Sequence, residues 1–343
     1  MKAIVIYGPH DLRVEDLPEA APGPRQVAVR VRAGGICGSD LHYYHHGGFG
    51  TVRLREPMVL GHEVAGEVVE VGREVTRLRA GDRVAVSPSL PCGACRFCLR
   101  GMPNHCLDMR FHGSAMRFPH IQGAFRQHLV CEDSQAVLLP EGMSLQHAAF
   151  AEPLSVCLHA ARQAGPLMGQ RVLVTGTGPI GALALLVARH AGAGEVVCTD
   201  ISDGPLALAR RLGADAALNT RDDPTALEPY AIDKGQFDVV FEASGSGAAL
   251  AGALAVARPG ATIVQLGLGG EVPLPVNVLV AKEITLRGTF RFHEEFHWAV
   301  EAIGAGRIDV TPLLTEVVPM AEARRAFDLA SDRSRAMKVQ IAL

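Results

Sequence analysis

Residues 171–200 read RVLVTGTGPIGALALLVARHAGAGEVVCTD and decide the fold of this chain. The apolar run RVLVT is followed by G-x-G-x-x-G at Gly176, Gly178 and Gly181, then by a helical pattern and a second apolar run that ends at Asp200. The glycines permit a tight strand-to-helix turn and a close approach of the backbone to a pyrophosphate at the helix N-terminus. The motif alone is a weak signal, but this strand–helix–strand context predicts a dinucleotide-binding βαβ unit.

The type of dinucleotide is indicated by Asp200, at the end of the second predicted strand. A carboxylate there hydrogen-bonds the adenosine ribose hydroxyls and repels a 2′-phosphate. The following loop, ISDGP, contains no Arg or Lys, so NAD is favoured over NADP. The alternative is a Gly-rich turn that binds no ligand.

The sequence pattern changes at about residue 150. Beyond it, strand-like runs such as FDVVFEAS (237–244) and ATIVQLGLG (261–269) alternate with helical patterns, which predicts a doubly wound parallel sheet. Before it, short Val-rich runs separated by glycines predict a barrel-like all-β domain. The stretch from about residue 287 need not belong to the parallel sheet. The predicted class is therefore α/β.

Composition excludes several functions. The 343 residues suit about two domains, and the 48% hydrophobic and 20% charged content is that of a globular protein. A net charge of −3 argues against nucleic-acid binding and against a polybasic membrane patch. The N-terminus turns polar by residue 10, and no apolar run approaches the ~20 residues of a membrane span. We expect a soluble, cytoplasmic protein, in which eight cysteines indicate metal binding or catalysis before disulfides.

A closed metal site is predicted by Cys92, Cys95, Cys98 and Cys106, spaced C-x2-C-x2-C-x7-C. Four thiolates within fifteen residues suit a tetrahedral structural zinc site that pins a loop. Two local disulfides or an iron–sulfur cluster are the alternatives. A zinc-ribbon module for nucleic acid is disfavoured because few cations flank the cluster.

Donors for a second, open metal site come from three segments: Cys37 in GGICGSDLHYY, His62 and Glu63 in VLGHEVAGEV, and Glu152 in AFAEPLSV. Thiolate, imidazole and carboxylate are the ligands of a catalytic zinc, which leaves one position for water or substrate. Each residue alone could equally be structural, since a lone buried cysteine is usually an apolar filler.

Three polar residues beside Cys37 complete the predicted chemistry. Ser39 could accept the proton of an alcohol and His42 could pass it outward, while Asp40 could orient a ligand histidine. Together with the dinucleotide these patterns predict a dehydrogenase of secondary alcohols, in which zinc acidifies the alcohol and hydride moves to the nicotinamide.

These motifs, with PMVLGHEVAGEVVEVG, GDRVAV and PCGACRFC, resemble the zinc-dependent medium-chain alcohol and polyol dehydrogenases over nearly the whole chain, and most the sorbitol dehydrogenase branch. The resemblance implies a GroES-like β-barrel catalytic domain at 1–150 and 287–343 and an NAD-binding Rossmann domain at 151–286, with the active site in the cleft between them. It implies that Cys37, His62 and Glu63 ligate a catalytic zinc, with Glu152 bound directly or through water. Which glutamate is the inner ligand stays open.

Two segments narrow the choice of substrate. They are CLDMRFHGSAMRFPHIQGAF (106–125) and LRGTFRFHEEF (286–296), and they are most similar to the corresponding segments of L-idonate 5-dehydrogenases. These enzymes interconvert L-idonate and 5-dehydro-D-gluconate, so a carboxylate must be bound, and Arg110, Arg117 and Arg291 are candidates because guanidinium binds carboxylate bidentately. The resemblance places Tyr43 and Phe111 in the substrate cleft. A sorbitol or xylitol dehydrogenase is the first alternative, and an L-threonine dehydrogenase a weaker one.

The resemblance also implies the cofactor contacts and the assembly. The expected dinucleotide contacts are Gly176, Gly178, Pro179, Ile180, Gly181, Asp200, Leu266, Leu268, Phe290 and Arg291. The branch often carries a basic residue five positions after the ribose aspartate, where this chain has Pro205, so NADP stays possible. We expect two zinc ions per chain, a small polyol or sugar-acid substrate, no nucleic acid or membrane partner, and a homotetramer or dimer. A retired, non-catalytic protein of the same fold would lack a ligand or relay residue, and none is missing.

Overall fold

The structure, a computed structural model, describes residues 1–343. Its strands, numbered in chain order, are β1 Lys2–Gly8, β2 Asp11–Asp16, β3 Gln26–Gly35, β4 Gly48–Phe49, β5 Val52–Arg53, β6 Met58–Val59, β7 Glu63–Val71, β8 Arg83–Val86, β9 Ser89–Leu90, β10 Arg110–Phe111, β11 His128–Glu132, β12 Ala136–Leu138, β13 Arg171–Thr175, β14 Glu195–Asp200, β15 Ala216–Asn219, β16 Phe237–Glu242, β17 Ala257–Gln265, β18 Thr285–Gly288, β19 Leu314–Pro319 and β20 Lys338–Ala342. Its α-helices are α1 Gly38–His46, α2 Leu145–Ala148, α3 Ala151–Ala164, α4 Pro179–His190, α5 Asp203–Arg211, α6 Gly247–Val256, α7 Val276–Ala281, α8 Glu295–Gly304 and α9 Ala323–Ser331.

The chain divides into two compact units. The first contains Met1–Glu152, Phe296–Asp332 and Lys338–Leu343, and the second contains Pro153–Glu295 and Arg333–Met337. The functional domain boundaries given above, 1–150 with 287–343 and 151–286, stay a prediction.

The first unit is built on a seven-stranded sheet in the order β12-β8-β7-β3-β20-β19, with β11 paired to β3. Strand β3 is its longest member. Its buried Val29, Val31 and Ala33 alternate with the exposed Arg30 and Arg32, as expected of a strand with one face in a core. The register pairs Gly35, at the end of β3, with Glu63 of β7 on one side and with Gln340 of β20 on the other. Three distant parts of the sequence therefore meet at one end of this sheet.

The second unit is an open parallel sheet in the order β15-β14-β13-β16-β17-β18. This is the order of a dinucleotide-binding Rossmann fold, in which the first strand of the unit, β13, lies beside the point where the order reverses. Leu173, Val197, Phe237, Val240 and Ile263 form its core and are fully or almost fully buried. The predicted α/β class with a doubly wound parallel sheet is confirmed.

Each of the nine α-helices is too short or too polar to span a membrane.

Candidate active site

The end of β3 and the start of β7 bring together the donors of the predicted open metal site. Cys37 follows β3 by two residues, and Glu63 is the first residue of β7, directly opposite Gly35. The Sγ atom of Cys37, an imidazole nitrogen of His62 and a carboxylate oxygen of Glu63 all lie within 4.8 Å of one another. A side chain at position 35 would overlap the Glu63 carboxylate, so only glycine leaves space for this group.

Asp40 ties the two ligand-bearing segments to each other. It is fully buried, its Oδ2 accepts a hydrogen bond of 3.0 Å from the Cys37 amide, and its Oδ1 accepts one of 3.2 Å from the Gly61 amide. Cys37 is the N-cap of α1, and Asp40 occupies the position from which a side chain reaches back to the N-cap amide. Asp40 thereby fixes Cys37 relative to the residue just before His62.

His62 has the surroundings of a metal ligand. It is 4% exposed, and its Nδ1 has no hydrogen-bond partner and lies 3.7 Å from Asp40 Oδ1. Burial alone disfavours the imidazolium, but Asp40, Cys37 and Glu152 outweigh it and hold the pKa of His62 well above its usual value. A buried set of anionic donors around an unsatisfied imidazole nitrogen is chemically suited to a bound cation, so the residues fit zinc.

Glu63 is also paired with a buried cation, Lys338 at the start of β20. The Lys338 Nζ atom lies 2.6 Å from Glu63 Oε1 and 2.5 Å from Oε2, and the two side chains are 4% and 1% exposed. Burial opposes the charge on Lys338, but Glu63 and Cys37 outweigh it and raise the pKa of the ammonium above its usual value. Glu63 therefore has a counter-charge supplied by the protein itself.

Glu152, the second residue of α3, belongs to the same buried environment but not to the tightest donor group. It is 6% exposed, and it is absent from the set of donors that lie within 4.8 Å of one another. Burial raises the pKa of Glu152 to about 7; the nearby His62 opposes this shift and Glu63 adds to it. A carboxyl without a partner of its own, at this place, is suited to binding a metal ion or a metal-bound water.

The predicted relay residues lie in the first and second turns of α1, two and five residues after Cys37. Ser39 is half-buried and His42 is exposed, so the helix leads from the buried donors toward the surface. This order, with the hydroxyl inside and the imidazole outside, is the one a proton relay requires.

The predicted substrate-binding residues of the first unit have different surroundings. Phe111 is half-buried, with its ring 5.6 Å from the His62 ring. Tyr43 is 1% exposed, and its hydroxyl accepts a 2.9 Å hydrogen bond from the Ala115 amide. Arg110 is exposed and has no ion-pair partner, whereas Arg117 pairs at 2.9 Å with Asp108.

The four clustered cysteines converge within a single loop. Their Sγ atoms lie within 4.8 Å of one another, with Cys95 Sγ 3.6 Å from Cys98 Sγ and 4.0 Å from Cys106 Sγ. Zn–S bonds of about 2.3 Å in a tetrahedron place sulfurs about 3.8 Å apart, whereas a disulfide bond is about 2.05 Å long. All eight cysteines are free. The spacing fits a four-thiolate zinc site and does not match two local disulfides.

Backbone amides prepare this loop for negative charge. The Cys92 amide donates to Cys106 Sγ at 3.1 Å, and the Cys95 amide donates to Cys92 Sγ at 3.3 Å. Hydrogen bonds from the amides of Cys98 and Leu107 lower the pKa of Cys95 to about 6, whereas burial raises the pKa of Cys98 to about 12. Donation of N–H groups to thiolates is the usual support of a structural metal site.

In the second unit, the glycine fingerprint forms the turn between β13 and α4. Gly176 has φ +77°, and a side chain there would collide with Ser244, while one on Gly181 would overlap the Gly176 carbonyl. Gly178 is the N-cap of α4, and Pro179 is its first residue, which suits proline because that position needs no amide donor. Ile180 follows in the first turn, half-buried. The turn thus points the amides of a helix N-terminus to a place where the glycines leave space.

Asp200 closes β14 beside this turn. Its Oδ2 accepts 2.8 Å from the Thr177 amide, and its Oδ1 accepts from the amides of Ile201 and Ser202 at 2.8 and 3.0 Å. The Asp200 carboxylate therefore also stabilises the fingerprint turn and the loop after β14, in addition to its predicted contact with the ribose.

The remaining predicted cofactor residues follow β17 and β18. Leu268 is 81% exposed and Phe290 43%, while Leu266 is half-buried. Arg291 has φ +55°, and its guanidinium carbon lies 4.8 Å from the centre of the Phe290 ring. An apolar side chain left this exposed is suited to contact with a flat ligand.

Two buried charged residues were missed by sequence reasoning. Lys338 lies in an apolar strand pattern, KVQIA, and only the pairing of β20 with β3 reveals its partner. Glu242, at the end of β16, is fully buried, and its carboxylate accepts from the side chains of Thr175, Ser244 and Gln265. It also accepts from the Gly245 amide, so it connects the ends of β13 and β17 with the loop that follows β16. The only signal for Glu242 in the sequence is a glutamate at the end of an apolar strand pattern.

Comparison with known proteins agrees with this geometry. The family described as "Alcohol dehydrogenase GroES-like domain" matches residues 23–141, and the family described as "Zinc-binding dehydrogenase" matches residues 179–305. The first range contains Cys37, His62, Glu63 and the cysteine cluster, and the second begins at the fingerprint helix.

Similar proteins cover nearly the whole chain. "L-idonate 5-dehydrogenase (NAD(P)(+))" of Escherichia coli (strain K12) is 44% identical over 91% of this chain and 90% of its own. "Sorbitol dehydrogenase" of Bacillus subtilis (strain 168) is 34% identical over 99% of this chain and 97% of its own. The crystal structure of L-idonate 5-dehydrogenase from Escherichia coli has a TM-score of 0.93 at 40% identity and covers 100% of this chain and 98% of that one. The chain is therefore a member of the zinc-binding medium-chain alcohol and polyol dehydrogenase family, and an enzyme.

Proposed function

We propose that this enzyme oxidises the secondary alcohol at C5 of L-idonate to 5-dehydro-D-gluconate with a nicotinamide dinucleotide as hydride acceptor, NAD being favoured and NADP possible. The observation that carries the proposal is the group of Cys37, His62 and Glu63, whose donor atoms lie within 4.8 Å of one another, in a chain 44% identical to an L-idonate 5-dehydrogenase.

In this mechanism Cys37, His62 and Glu63 would hold the catalytic zinc, with Glu152 as a further ligand, direct or through water. Zinc at this place supplies Lewis acidity toward the substrate hydroxyl, and the bound dinucleotide supplies the hydride acceptor. Lys338 positions the Glu63 carboxylate through an ion pair in which Nζ lies 2.6 Å from Oε1 and 2.5 Å from Oε2.

The chain's own residues move the proton. The Ser39 hydroxyl accepts the proton of the substrate hydroxyl while it donates its own to His42, and the exposed His42 imidazole releases it to solvent. Asp40 keeps Cys37 and the His62 segment in register during this transfer through its two amide hydrogen bonds.

The remaining predicted residues bind the rest of the substrate and the cofactor. Arg110 is the first choice for the substrate carboxylate, because Arg117 already has a partner in Asp108. Tyr43 and Phe111 line the substrate site, and Arg291 is a further candidate for the substrate carboxylate and the cofactor. The dinucleotide is bound by the fingerprint turn, Asp200, Leu266, Leu268 and Phe290, and a second zinc by the four clustered cysteines.

The test is a comparison of kcat/KM for L-idonate, sorbitol and xylitol, with NAD and with NADP. We expect L-idonate to be the best substrate. Arg110→Ala should lower kcat/KM for L-idonate about 10- to 100-fold and leave sorbitol unaffected, since a hydrogen bond to a charged group contributes about 1.5–3 kcal/mol. Arg307→Ala, a change at another exposed arginine that lies outside both predicted metal sites, is the matched control.

A dehydrogenase of neutral polyols is the second candidate, and one contact favours it. Arg117 is neutralised by Asp108, so only one unpaired arginine remains among the two in the 106–125 segment. Equal rates on L-idonate and sorbitol, unaffected by Arg110→Ala, would establish this alternative.

We also propose a homo-oligomer, tetramer or dimer, in the cytoplasm, as the family resemblance implies. Light scattering of the purified protein and fractionation of cells test these two statements.

A further inference from the structure

Helix α1 carries a patch of imidazoles, formed by His42, His45 and His46 together with His10. The ring centres of His42 and His46 are 6.2 Å apart, those of His45 and His46 5.9 Å, and those of His10 and His45 5.1 Å. Neither the relay nor the zinc site uses His46. The patch therefore contains more metal-binding side chains than the proposed reaction requires.

Within the patch, His42 and His46 have the arrangement of a metal-binding pair. They are four residues apart on one helix, so both side chains project from the same face. Both are exposed, and their rings are tilted by 38°. Two histidines at this spacing on a helix are able to bind one ion with nitrogen–metal distances of about 2.0–2.1 Å, after side-chain rotations that exposed residues make readily.

The other two histidines are less suited to the same ion. His45 is half-buried, and its Nε2 lies 2.7 Å from Ser331 Oγ. His10 packs edge-on against the rings of Tyr44 and His45. The pair is therefore His42 and His46.

The helix end adds a favourable field. His46 is the last residue of α1, and the carbonyl groups of the last turn give this end a partial negative charge. The Gly47 amide satisfies the carbonyls of His42 and Tyr43 in a left-handed cap, which keeps the final turn regular. A divalent cation is favoured here.

We propose that His42 and His46 bind a divalent transition-metal ion, separate from the two zinc ions, and that this binding slows the dehydrogenase. The second part rests on the proposed function, in which His42 carries the substrate proton to solvent. A neutral imidazole has one nitrogen lone pair, and a metal ion that occupies it leaves none to accept a proton. Occupancy of the pair thus interrupts the relay at its outer member.

The binding half is tested by calorimetric titration of Ni²⁺ into the zinc-loaded protein. Imidazole pairs bind Ni²⁺ well, and the ion does not oxidise the thiols. His46→Ala should weaken the highest-affinity binding outside the zinc sites at least about tenfold, as loss of a ligand does. His190→Ala, which removes another exposed histidine from the last position of a helix, should leave the affinity unchanged. Equal affinity in His46→Ala and the unsubstituted protein would overturn the site.

The rate half uses initial rates of L-idonate oxidation just after Ni²⁺ addition, each protein normalised to its own metal-free rate. We expect a dose-dependent loss that dilution reverses, with His46→Ala needing at least about tenfold more Ni²⁺. Reversal by dilution distinguishes the pair from exchange of the catalytic zinc. An unchanged rate at saturating Ni²⁺ would overturn the inhibition. If L-idonate is not oxidised at all, the proposed function fails, while the calorimetry still decides whether the site exists.

Discussion

The two predicted zinc sites of the first unit are built in opposite ways. The four-cysteine cluster comes from residues 92–106 alone, lies largely at the surface, and offers four donors of one kind. The Cys37 site comes from three segments, combines a half-buried thiolate with a buried imidazole and carboxylate, and includes an internal ammonium, Lys338. The cluster depends on a loop and its amides, whereas the Cys37 site depends on the register of three strands.

This comparison predicts that the two sites fail independently, and the largest effect is expected at Cys37. Cys37→Ser should lower kcat/KM by about a thousandfold or more, because Lewis acidity contributes several kcal/mol to such reactions. Elemental analysis should find one zinc per chain instead of two. Retention of both zinc ions with full activity would refute the assignment of Cys37.

Lys338→Met tests the internal counter-charge. Removal of one partner leaves the Glu63 carboxylate buried and unpaired, so the metal-free protein should lose about 3–5 kcal/mol in free energy of unfolding, measured with urea. The double variant with Glu63→Gln should recover much of the loss, because no buried charge is then left. A single variant as stable as the parent would mean that Glu63 does not depend on Lys338.

Cys95→Ser is the counterpart in the cluster. We expect loss of the zinc bound by the four-cysteine cluster. Because the loop then loses its cross-link, the Tm should be roughly 10 °C lower, which corresponds to about 3 kcal/mol in free energy of unfolding. kcat should change by less than about threefold at a temperature where the variant is folded. A loss of activity comparable to that of Cys37→Ser would show that the sites are coupled.

Asp40→Asn should give the smallest effect, a lower zinc affinity at the Cys37 site alone. The amide retains one oxygen for two donor amides, those of Cys37 and Gly61. We expect zinc affinity at the Cys37 site to fall about 10- to 100-fold, as is usual when a residue that orients ligands is changed. Competition with a chromophoric chelator measures this, and the cluster zinc, released separately, serves as the internal control.

The same contrast explains how much could be predicted from the sequence. The cluster and the Gly176–Gly181 turn were predictable because spacing over a few residues determines their geometry, and the doubly wound sheet followed from alternating strand and helix patterns. The resemblance to known motifs predicted that Cys37, His62 and Glu63 share one site. The structural reason that they meet is the strand register, which pairs Gly35 with Glu63.

Residues whose role depends on distant packing could not be predicted. Nothing in KVQIA indicates that Lys338 is a buried cation. Nothing in FDVVFE indicates that the ends of β13 and β17 and the loop after β16 meet at the Glu242 carboxylate. The hydrogen bond from the Ala115 amide to the Tyr43 hydroxyl likewise joins residues 72 positions apart, and the place of Tyr43 in the substrate cleft stays a prediction. Such details depend on which strands become neighbours, and single-sequence patterns do not contain that information.

The ion pair between Glu63 and Lys338 has a consequence for biosynthesis. The two partners are separated by 275 residues, including the whole of the parallel sheet. At about 5–20 residues per second, a ribosome adds the lysine roughly 15–55 s after the glutamate. During that interval β3 and β7 are able to pair, but the carboxylate between them has no cation from the chain. The first unit therefore reaches its final packing only after the parallel sheet of the second unit has been translated. A cation bound before that point would have to balance the Glu63 carboxylate in place of the Lys338 ammonium.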